Sequence, residues 1–545
     1  MLAFYRQYSR HIYFYGVILL AASLPLSIYT TSVFEIVLLA NWILEGNFRK
    51  KFSILKERKS LLLIIGLYAL HLVGLIYSDP ANYDYAFKDL KVKLPILVLP
   101  VIIGTSEALN RKQLKTVLLI FCLATFSSTI VSFGVFLGIV PYEYYDFRDI
   151  SIFVSHIRLA LMVNLSIFIL IYYMFRSKDD LGFSTPVSVA ATIMILWFLF
   201  FFVLLKSLTG FVIFGVLILV LAWIYAGRII SGFPRILVRS IIIAIPLLIF
   251  FYIYNSIERF YETEDIEFSE LEERTPLGNP YSHDTLRRAR ENGNYVWIYV
   301  AEDEMEEAWN ERSDIPYDSL DNKGQEIKYT LIRYLTSKGL RKDRKGVMAL
   351  TEEDVEAIEN GKANYIFKNK YSLYPRIYEV IWEIDGYLRG GDPSGHSVAQ
   401  RIAYLNAAKY IFMNNPVIGV GTGDVKYSFD QYYYKTDSKL EKDYRRRAHN
   451  QYVTFLITFG ILGFILAMIF LIAPVFIEKA WNDYLFIVFF FIAFLSMLNE
   501  DTMETQTGVS FFIFFYSLLL FGRKKNSENE SKISQKGHKN GRRKY

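Results

Sequence analysis

The chain has 545 residues, of which 53% are hydrophobic, and it contains 44 phenylalanines and 40 tyrosines. This composition places it in the class of polytopic membrane proteins. The formal net charge of +6 is modest and comes largely from the C-terminal tail, so it gives no reason to expect a nucleic-acid partner. The single cysteine, Cys122, lies in an apolar segment, which excludes disulfides and a cysteine-based metal site from any external loop.

Apolar segments long enough to cross a bilayer recur along the chain, at about 20 apolar residues per crossing. They predict an all-α polytopic membrane protein with about 12 transmembrane helices and a large helical extracytoplasmic loop. The first, second and fourth spans are the least regular, because they are short or contain Pro25 and Pro95. The predicted spans are 12–29, 31–46, 60–77, 91–104, 114–140, 152–175, 186–206, 209–227, 237–255, 451–477, 482–499 and 508–522.

A long polar segment separates the ninth span from the tenth and carries helix-forming residues at helical spacing. The predicted domains are an N-terminal membrane bundle of about nine spans (1–255), a helical loop domain (256–450), about three C-terminal spans (451–522) and a basic tail (523–545). The helices predicted in the loop are 302–309, 326–338, one opened by Thr351, 374–388 and 397–414.

Lysine and arginine residues fix the expected orientation. They follow the second, fourth, sixth and eighth spans and fill the tail, as in Arg49-Lys50-Lys51 and Arg111-Lys112. Because basic loops stay in the cytoplasm, both termini are predicted to be cytoplasmic and the loop 256–450 is predicted to lie outside. The expected location is the bacterial inner membrane, with a site on its periplasmic face.

The glycine-rich segment Gly419 to Gly423 admits two readings. A dinucleotide-binding loop is disfavoured, because that fingerprint requires a preceding strand and a following helix. The segment is therefore either a tight turn or a set of backbone N–H groups that face an anion.

His449 and Asn450 stand where the loop re-enters the membrane, directly after Arg445-Arg446-Arg447. Asn450 is expected to cap the following helix. His449 is either an interfacial histidine that only forms hydrogen bonds or a general base, since an imidazole can accept a proton near neutral pH.

Several cations are predicted to converge on the outer face. Arg158 is a charge in an apolar span and therefore a functional candidate, whereas Lys93 and Lys206 are equally well explained by snorkelling. Arg401 lies on a predicted helix of the loop, and it is either one of these functional cations or a surface residue. Together with Arg447, these side chains suit a diphosphate, whose oxygens accept hydrogen bonds from guanidinium groups.

Glu500, Asp501 and Glu504 lie between the last two spans. They are expected either to orient a cation or bind a sugar hydroxyl, or to form a solvated turn. No Asp-x-Asp pair occurs in the chain, so the metal-binding pattern of nucleotide-sugar transferases is missing. We expect no metal and no cofactor, and a donor carried on a lipid diphosphate.

These features resemble the O-antigen ligase and O-antigen polymerase superfamily of bacterial cell-envelope membrane proteins. The most specific segments lie within residues 400–463, and two landmarks precede them in the chain. The segments that carry the resemblance are Gln400-Arg401, Asn415-Pro416 to Asp424, Ala448-His449-Asn450-Gln451-Tyr452, Phe459-Gly460-Ile461-Leu462-Gly463, Ser207-Leu208-Thr209-Gly210 and His156-Ile157-Arg158.

The resemblance implies a fold related to the large lipid-sugar transferases (GT-C-like), with the loop over the site. It implies metal-independent, inverting transfer of a glycan from undecaprenyl diphosphate to a saccharide acceptor, which is lipid A–core for a ligase or another glycan for a polymerase. His449 would be the base, and Arg158 and Arg401 would bind the donor. The residues expected to bind the acceptor or support the site are Asn450, Tyr404, His156 and Glu500.

The sequence departs from the family pattern at one turn, and one other class of membrane protein is an alternative. The turn after the seventh span has Lys206-Ser207, where the family often has an arginine after the serine, which puts a phosphate role there in doubt. A transporter or flippase is the alternative from another class, but it would require inverted repeats and charges at the membrane midplane. The expected partners are the lipid-linked donor, the saccharide acceptor and membrane lipids.

Overall fold

The computed structural model describes residues 2–144, 147–263, 265–369 and 372–524, so most of the predicted tail lies outside the described residues. The regular secondary structure of the described chain is helical apart from one two-stranded hairpin, which confirms the all-α polytopic class. Eleven of the twelve predicted spans each fall mainly on one α-helix, and the fourth is divided between two. Eight of the described helices are long and apolar enough to cross a membrane, and two shorter apolar helices follow near the C-terminus.

The described elements fall into three stretches of sequence. The first contains α1 (Leu2–Ser23), α2 (Ile28–Glu45), α3 (Phe48–Glu57), α4 (Lys59–Ile76), α5 (Tyr83–Lys93), α6 (Pro95–Thr105), α7 (Arg111–Phe136), α8 (His156–Met174), α9 (Thr185–Leu205) and α10 (Leu208–Ile229). The second contains α11 (Phe233–Tyr261), β1 (Arg290–Glu291), β2 (Asn294–Tyr295), α12 (Glu302–Asn310), α13 (Ile327–Ser337), α14 (Arg344–Met348), α15 (Glu352–Glu359) and α16 (Tyr374–Leu388). The third contains α17 (Ser397–Asn414), α18 (Val425–Lys435), α19 (Gln451–Ile477), α20 (Tyr484–Ser496) and α21 (Gln506–Leu520).

The chain forms two compact units. The membrane unit contains the described residues up to 225 together with those from 400 onward, and the inserted unit contains residues 226–399. The predicted domain boundaries at 255 and 450 stay predictions.

The core of the membrane unit is built around α8 and α21, which are apolar on all sides and buried on nearly all of them. A helix that is apolar all round belongs in the centre of a bundle. α8 packs against α7, α9 and α20, while α21 packs against α6 and α20, and α19 packs against α4. This arrangement brings the start of α8 and both ends of the α20–α21 loop to one end of the bundle.

The region predicted as the fourth span contains two helices in place of one. Pro95 begins a new helix, α6, which has only 11 residues, and the preceding residues belong to α5 instead. Proline lacks a backbone N–H and favours the first turn of a helix, so the chain restarts there. The first span also differs, because α1 begins at residue 2 and ends before Pro25.

α19 is interrupted at Gly460, whose φ of 63° is left-handed. A Cβ at this position would lie 2.2 Å from the carbonyl carbon of Val417, so only glycine fits where the turn after α17 meets the helix. The N–H of Ile461 donates to Pro416 (2.9 Å), and the N–H of Val420 donates to the carbonyl of Ile457 (2.9 Å). The turn thus pairs backbone groups that the break in an apolar helix would leave unpaired.

In the inserted unit, α11 is long, apolar and almost entirely exposed, as expected of a helix that faces lipid. The folded part has its own core, which includes Met305, Trp309 and Leu331. All the helices predicted in this part are present. Thr351 forms the expected cap: its hydroxyl accepts from the N–H of Asp354, and its own N–H donates to the Asp354 carboxylate. The hairpin β1–β2 was not anticipated from the sequence.

Candidate active site

Three basic side chains from separate parts of the membrane unit surround Glu500. Arg158 lies at the start of α8, Arg401 lies on α17, and His449 directly precedes the cap of α19. Arg158 Nη1, Arg401 Nη2 and His449 Nδ1 each lie 3.9 Å from a carboxylate oxygen of Glu500. Glu500 is 8% exposed, so these charges interact with little screening by water.

Arg158 is the most deeply placed of the three basic residues. It is 5% exposed, and its Nη2 donates to the backbone carbonyl of Asp501 at 3.2 Å. Its Nε and Nη1 have no hydrogen-bond partner among the described residues. Burying a guanidinium with unsatisfied N–H groups costs free energy. These N–H groups can donate hydrogen bonds to an anionic oxygen.

His449 is held by contacts to both its backbone and its ring. Its backbone is in the left-handed region, with a φ of 48°, and its N–H donates to Asp501 Oδ2 at 3.2 Å. The imidazole stacks on the ring of Tyr404, with centroids 5.5 Å apart and planes 28° apart. The Tyr404 hydroxyl in turn donates to the carbonyl of Tyr444 at 2.6 Å. The His449 side chain is 35% exposed, so the ring is positioned and still accessible.

Asn450 has the predicted structural role. Its Oδ1 accepts a hydrogen bond from the N–H of Val453 at 3.1 Å, which caps α19. Its Nδ2 donates to the carbonyl of Leu498 at 2.8 Å, and the N–H of Gln451 donates to Met497 at 2.9 Å. The start of α19 is therefore joined to the loop that carries Glu500.

A second group of charges centres on Glu504. Its Oε2 accepts hydrogen bonds from Lys93 (2.8 Å) and Arg447 (2.9 Å), and its Oε1 accepts one from Gln451 (3.1 Å). Lys93 is 1% exposed and also donates to Asp89 at 2.6 Å. The charges of Lys93 and Arg447 are thus neutralised within the protein.

The pKa values of these carboxyl groups follow from their neighbours. Burial alone would raise the pKa of Glu504, but the charges of Lys93 and Arg447 outweigh it and hold that pKa well below its usual range. Burial would also raise the pKa of Glu500, and its three basic neighbours lower it below the ordinary value instead. For Asp501 burial prevails, and the pKa is raised. Glu500 and Glu504 are therefore ionised at neutral pH.

Arg447 is linked to α5 through a tyrosine as well. Its Nη1 donates to the hydroxyl of Tyr85 at 3.0 Å. Burial raises the pKa of Tyr85 to about 12, so this hydroxyl stays neutral. Tyr85 and Asp89 were missed as site residues, although the i, i+4 spacing of Asp89 and Lys93 on a short helix was a usable signal.

Two further predicted site residues, His156 and Lys206, lie at the ends of helices. His156 is the first residue of α8, and Lys206 ends α9 as an exposed residue with a φ of 48°. Asn499, next to Glu500, donates from Nδ2 to the hydroxyl of Thr209 at 2.8 Å, which brings the start of α10 to the same loop. The predicted roles of His156 and Lys206 stay predictions.

The glycine-rich segment is a packing turn and does not offer its backbone to an anion. The N–H of Gly421 donates to Thr458 (2.9 Å), that of Thr422 to Gly74 (3.2 Å), and that of Gly423 to the hydroxyl of Ser78 (2.9 Å). The reading in which these N–H groups face an anion is therefore wrong. The segment is needed for close packing, because a Cβ at Gly421 would lie 2.7 Å from the carbonyl oxygen of Gly74.

The fold and these clusters define a class: a polytopic all-α membrane protein with buried charged groups gathered at one end of its bundle. Residues 363–468 match the family model described as O-antigen ligase. This match confirms the resemblance to the O-antigen ligase-like superfamily. It includes Arg401 and His449, whereas Arg158 and Glu500 lie outside it. The comparison with curated proteins found no match.

The family match and the apolar helices together describe a multi-pass inner-membrane protein. Its role is of the ligase or polymerase type, and its substrates are polysaccharides or lipid-linked glycans.

Proposed function

We propose that this protein transfers a glycan from undecaprenyl diphosphate to an acceptor sugar at the outer face of the inner membrane, and that the acceptor is lipid A–core. The observation that carries the proposal is the convergence of Arg158, Arg401 and His449 on Glu500. These residues come from three distant segments of the chain, and together they provide the two groups that such a transfer needs: a base and a binding site for a leaving diphosphate.

The reaction is a single displacement at the anomeric carbon. His449 accepts a proton from the acceptor hydroxyl through Nε2, and the hydroxyl oxygen forms a bond to the anomeric carbon. The bond between that carbon and the phosphate oxygen breaks, and its electron pair leaves with the undecaprenyl diphosphate. Because attack and departure occur on opposite sides, the anomeric configuration is inverted. A correctly placed general base contributes about 10²–10⁴-fold to such a step.

Glu500 is proposed to orient the base. Its carboxylate lies 3.9 Å from His449 Nδ1, which favours the tautomer with a proton on Nδ1 and leaves Nε2 able to accept one. A carboxylate in this position also stabilises the imidazolium that forms during the reaction. The lowered pKa of Glu500 keeps it ionised for this purpose.

Arg158 and Arg401 are proposed to bind the donor diphosphate. The free N–H groups of Arg158 match phosphate oxygens, and guanidinium groups bind such oxygens in a bidentate manner. Positive charge here also stabilises the negative charge that develops on the leaving group. Lys93 and Arg447, which are paired with Glu504, are proposed to hold the segment before α19 in place.

The test is complementation of a strain that lacks the gene, followed by electrophoresis of its lipopolysaccharide. The strain without the gene should contain no glycan-capped lipid A. The wild type should restore the capping, whereas Arg158→Ala and Arg401→Ala should not restore it at equal protein abundance. A matched control is Arg111→Ala, a half-exposed arginine paired with Asp180, which should complement fully.

Two outcomes contradict the proposal. Retention of lipid A with a single repeat unit would identify a polymerase, and normal capping by both arginine variants would remove the donor-binding assignment.

A further inference from the structure

The inserted unit contains two neighbouring cavities that the proposed transfer does not use. They measure about 440 and 500 Å³ and share four lining residues: Arg259, Lys338, Tyr365 and Tyr374. Arg259 lies in the last turn of α11, so the cavities lie at the C-terminal end of a candidate membrane helix. Volumes of this size are typical of binding sites for small molecules, which span about 300–1,000 Å³.

The wall of the larger cavity is held in place by a tight turn and a side-chain hydrogen bond. Asn292 and Gly293 form the turn of the hairpin, and both have a positive φ. A Cβ at Gly293 would lie 2.7 Å from the carbonyl oxygen of Glu262, so the hairpin touches the chain just after α11. The Asn292 side chain donates to Ser337 at 3.0 Å, which fixes the turn against α13. The cavity is therefore a preformed feature.

The polar groups of the larger cavity are of mixed character. The Arg259 guanidinium stacks on the ring of Tyr374 at 4.3 Å, and it forms no ion pair within the described part of the chain. Glu262 contributes a carboxylate and Asn294 an amide. Lys338 is neutralised by Asp354, at 2.6 Å. The site thus offers a cationic donor, an anionic acceptor and an amide with both functions.

We infer that the larger cavity, built around Arg259, Glu262, Asn294 and Tyr365, binds a saccharide. A neutral sugar presents hydroxyl groups that both donate and accept, which matches this mixture of groups. An anion would meet the Glu262 carboxylate beside Arg259, and an apolar ligand would displace water from these charged and amide groups without replacing its hydrogen bonds. Tyrosine rings with a polar tip and an apolar face suit a ligand of the same dual character.

The inference goes beyond the proposed transfer, because none of these residues belongs to the group around Glu500. It assigns to the inserted unit a glycan-binding role of its own. Loss of this binding and loss of transfer are separate results, so each claim can fail without the other.

The test is saturation-transfer-difference NMR on the full-length protein in nanodiscs. The probes are maltotetraose, chitotetraose, mannotetraose, oligosaccharides released by mild acid from the host envelope, and inorganic pyrophosphate as the anion. The test variants are Glu262→Gln and Tyr365→Phe. Their matched controls, Glu307→Gln and Tyr329→Phe, change exposed residues of the same unit that do not line the cavity.

We expect at least one saccharide probe to bind, with affinity at least fivefold weaker in both test variants and unchanged in both controls. Absence of binding by every saccharide, equal binding by the test variants, or binding of pyrophosphate alone would overturn the inference.

Discussion

Removing the carboxylate of Glu504 should destabilise the protein more than removing any exposed acidic residue. In Glu504→Ala, Arg447 would lose its carboxylate partner and Lys93 would keep only Asp89, while both cations remain poorly hydrated. Breaking a buried ion pair by deleting one partner typically costs about 3–5 kcal/mol. The side chain of Glu504 is only 4% exposed, so screening by water reduces this figure little.

The free energy of unfolding can be measured by titration with SDS in mixed micelles. The matched control is Asp180→Ala, which removes a surface carboxylate that is 38% exposed and paired with Arg111 at 2.9 Å and with Arg176 at 2.6 Å. Surface pairs contribute about 1 kcal/mol or less. A loss in Glu504→Ala no larger than that in Asp180→Ala would refute the view that Glu504 holds this end of the bundle together.

The same contribution should depend on pH. The pKa of Glu504 is depressed in the folded state, so its stabilising effect is fully present above the ordinary value of 4.5 and is lost as the pH falls towards the folded value. The difference in stability between the wild type and Glu504→Ala should therefore shrink below about pH 4.5. A difference that grows on acidification would show that the sign of the pKa shift is wrong.

Three further substitutions have defined outcomes. Gly460→Ala should lower the free energy of unfolding by more than the ~1–2 kcal/mol of a left-handed backbone, because its Cβ also meets Val417. In the same SDS titration the control Gly215→Ala should be neutral or stabilising, because its Cβ enters free space. Glu500→Gln should lower the transfer rate about a hundredfold or more at unchanged abundance, and a rate equal to the wild type would contradict its orienting role. Arg158→Lys should raise KM for the lipid-linked donor, since lysine lacks the bidentate geometry; an unchanged KM would show that Arg158 does not contact the donor.

The helices of the membrane unit could be predicted because their apolar runs are long and their ends are marked by charge or proline. The predictions failed where a local feature changed the outcome. Pro95 divided a single expected span into α5 and α6. α18 was missed because its tyrosines give no clear apolar period. The hairpin was missed although Asn292-Gly293 is a strong turn signal.

The candidate site was partly predictable for a similar reason. Arg158 is conspicuous as a charge in an apolar helix, and His449 as a histidine at the membrane boundary. The sequence does not reveal which carboxylate each cation meets, because Lys93 and Glu504 are separated by more than 400 residues. The sequence therefore groups Lys93 and Arg447 with the donor-binding cations, whereas the structure pairs both with Glu504.

The proposed role of His449 as the general base can be examined by transfer kinetics with purified protein in nanodiscs. The substrates are the lipid-diphosphate-linked glycan and lipid A–core, and the variants are His449→Ala and His449→Gln. We expect kcat to fall at least a hundredfold in both variants, while KM for the donor and the stability of the protein stay near the wild-type values. Transfer at the wild-type rate by either correctly folded variant would show that His449 is not the base.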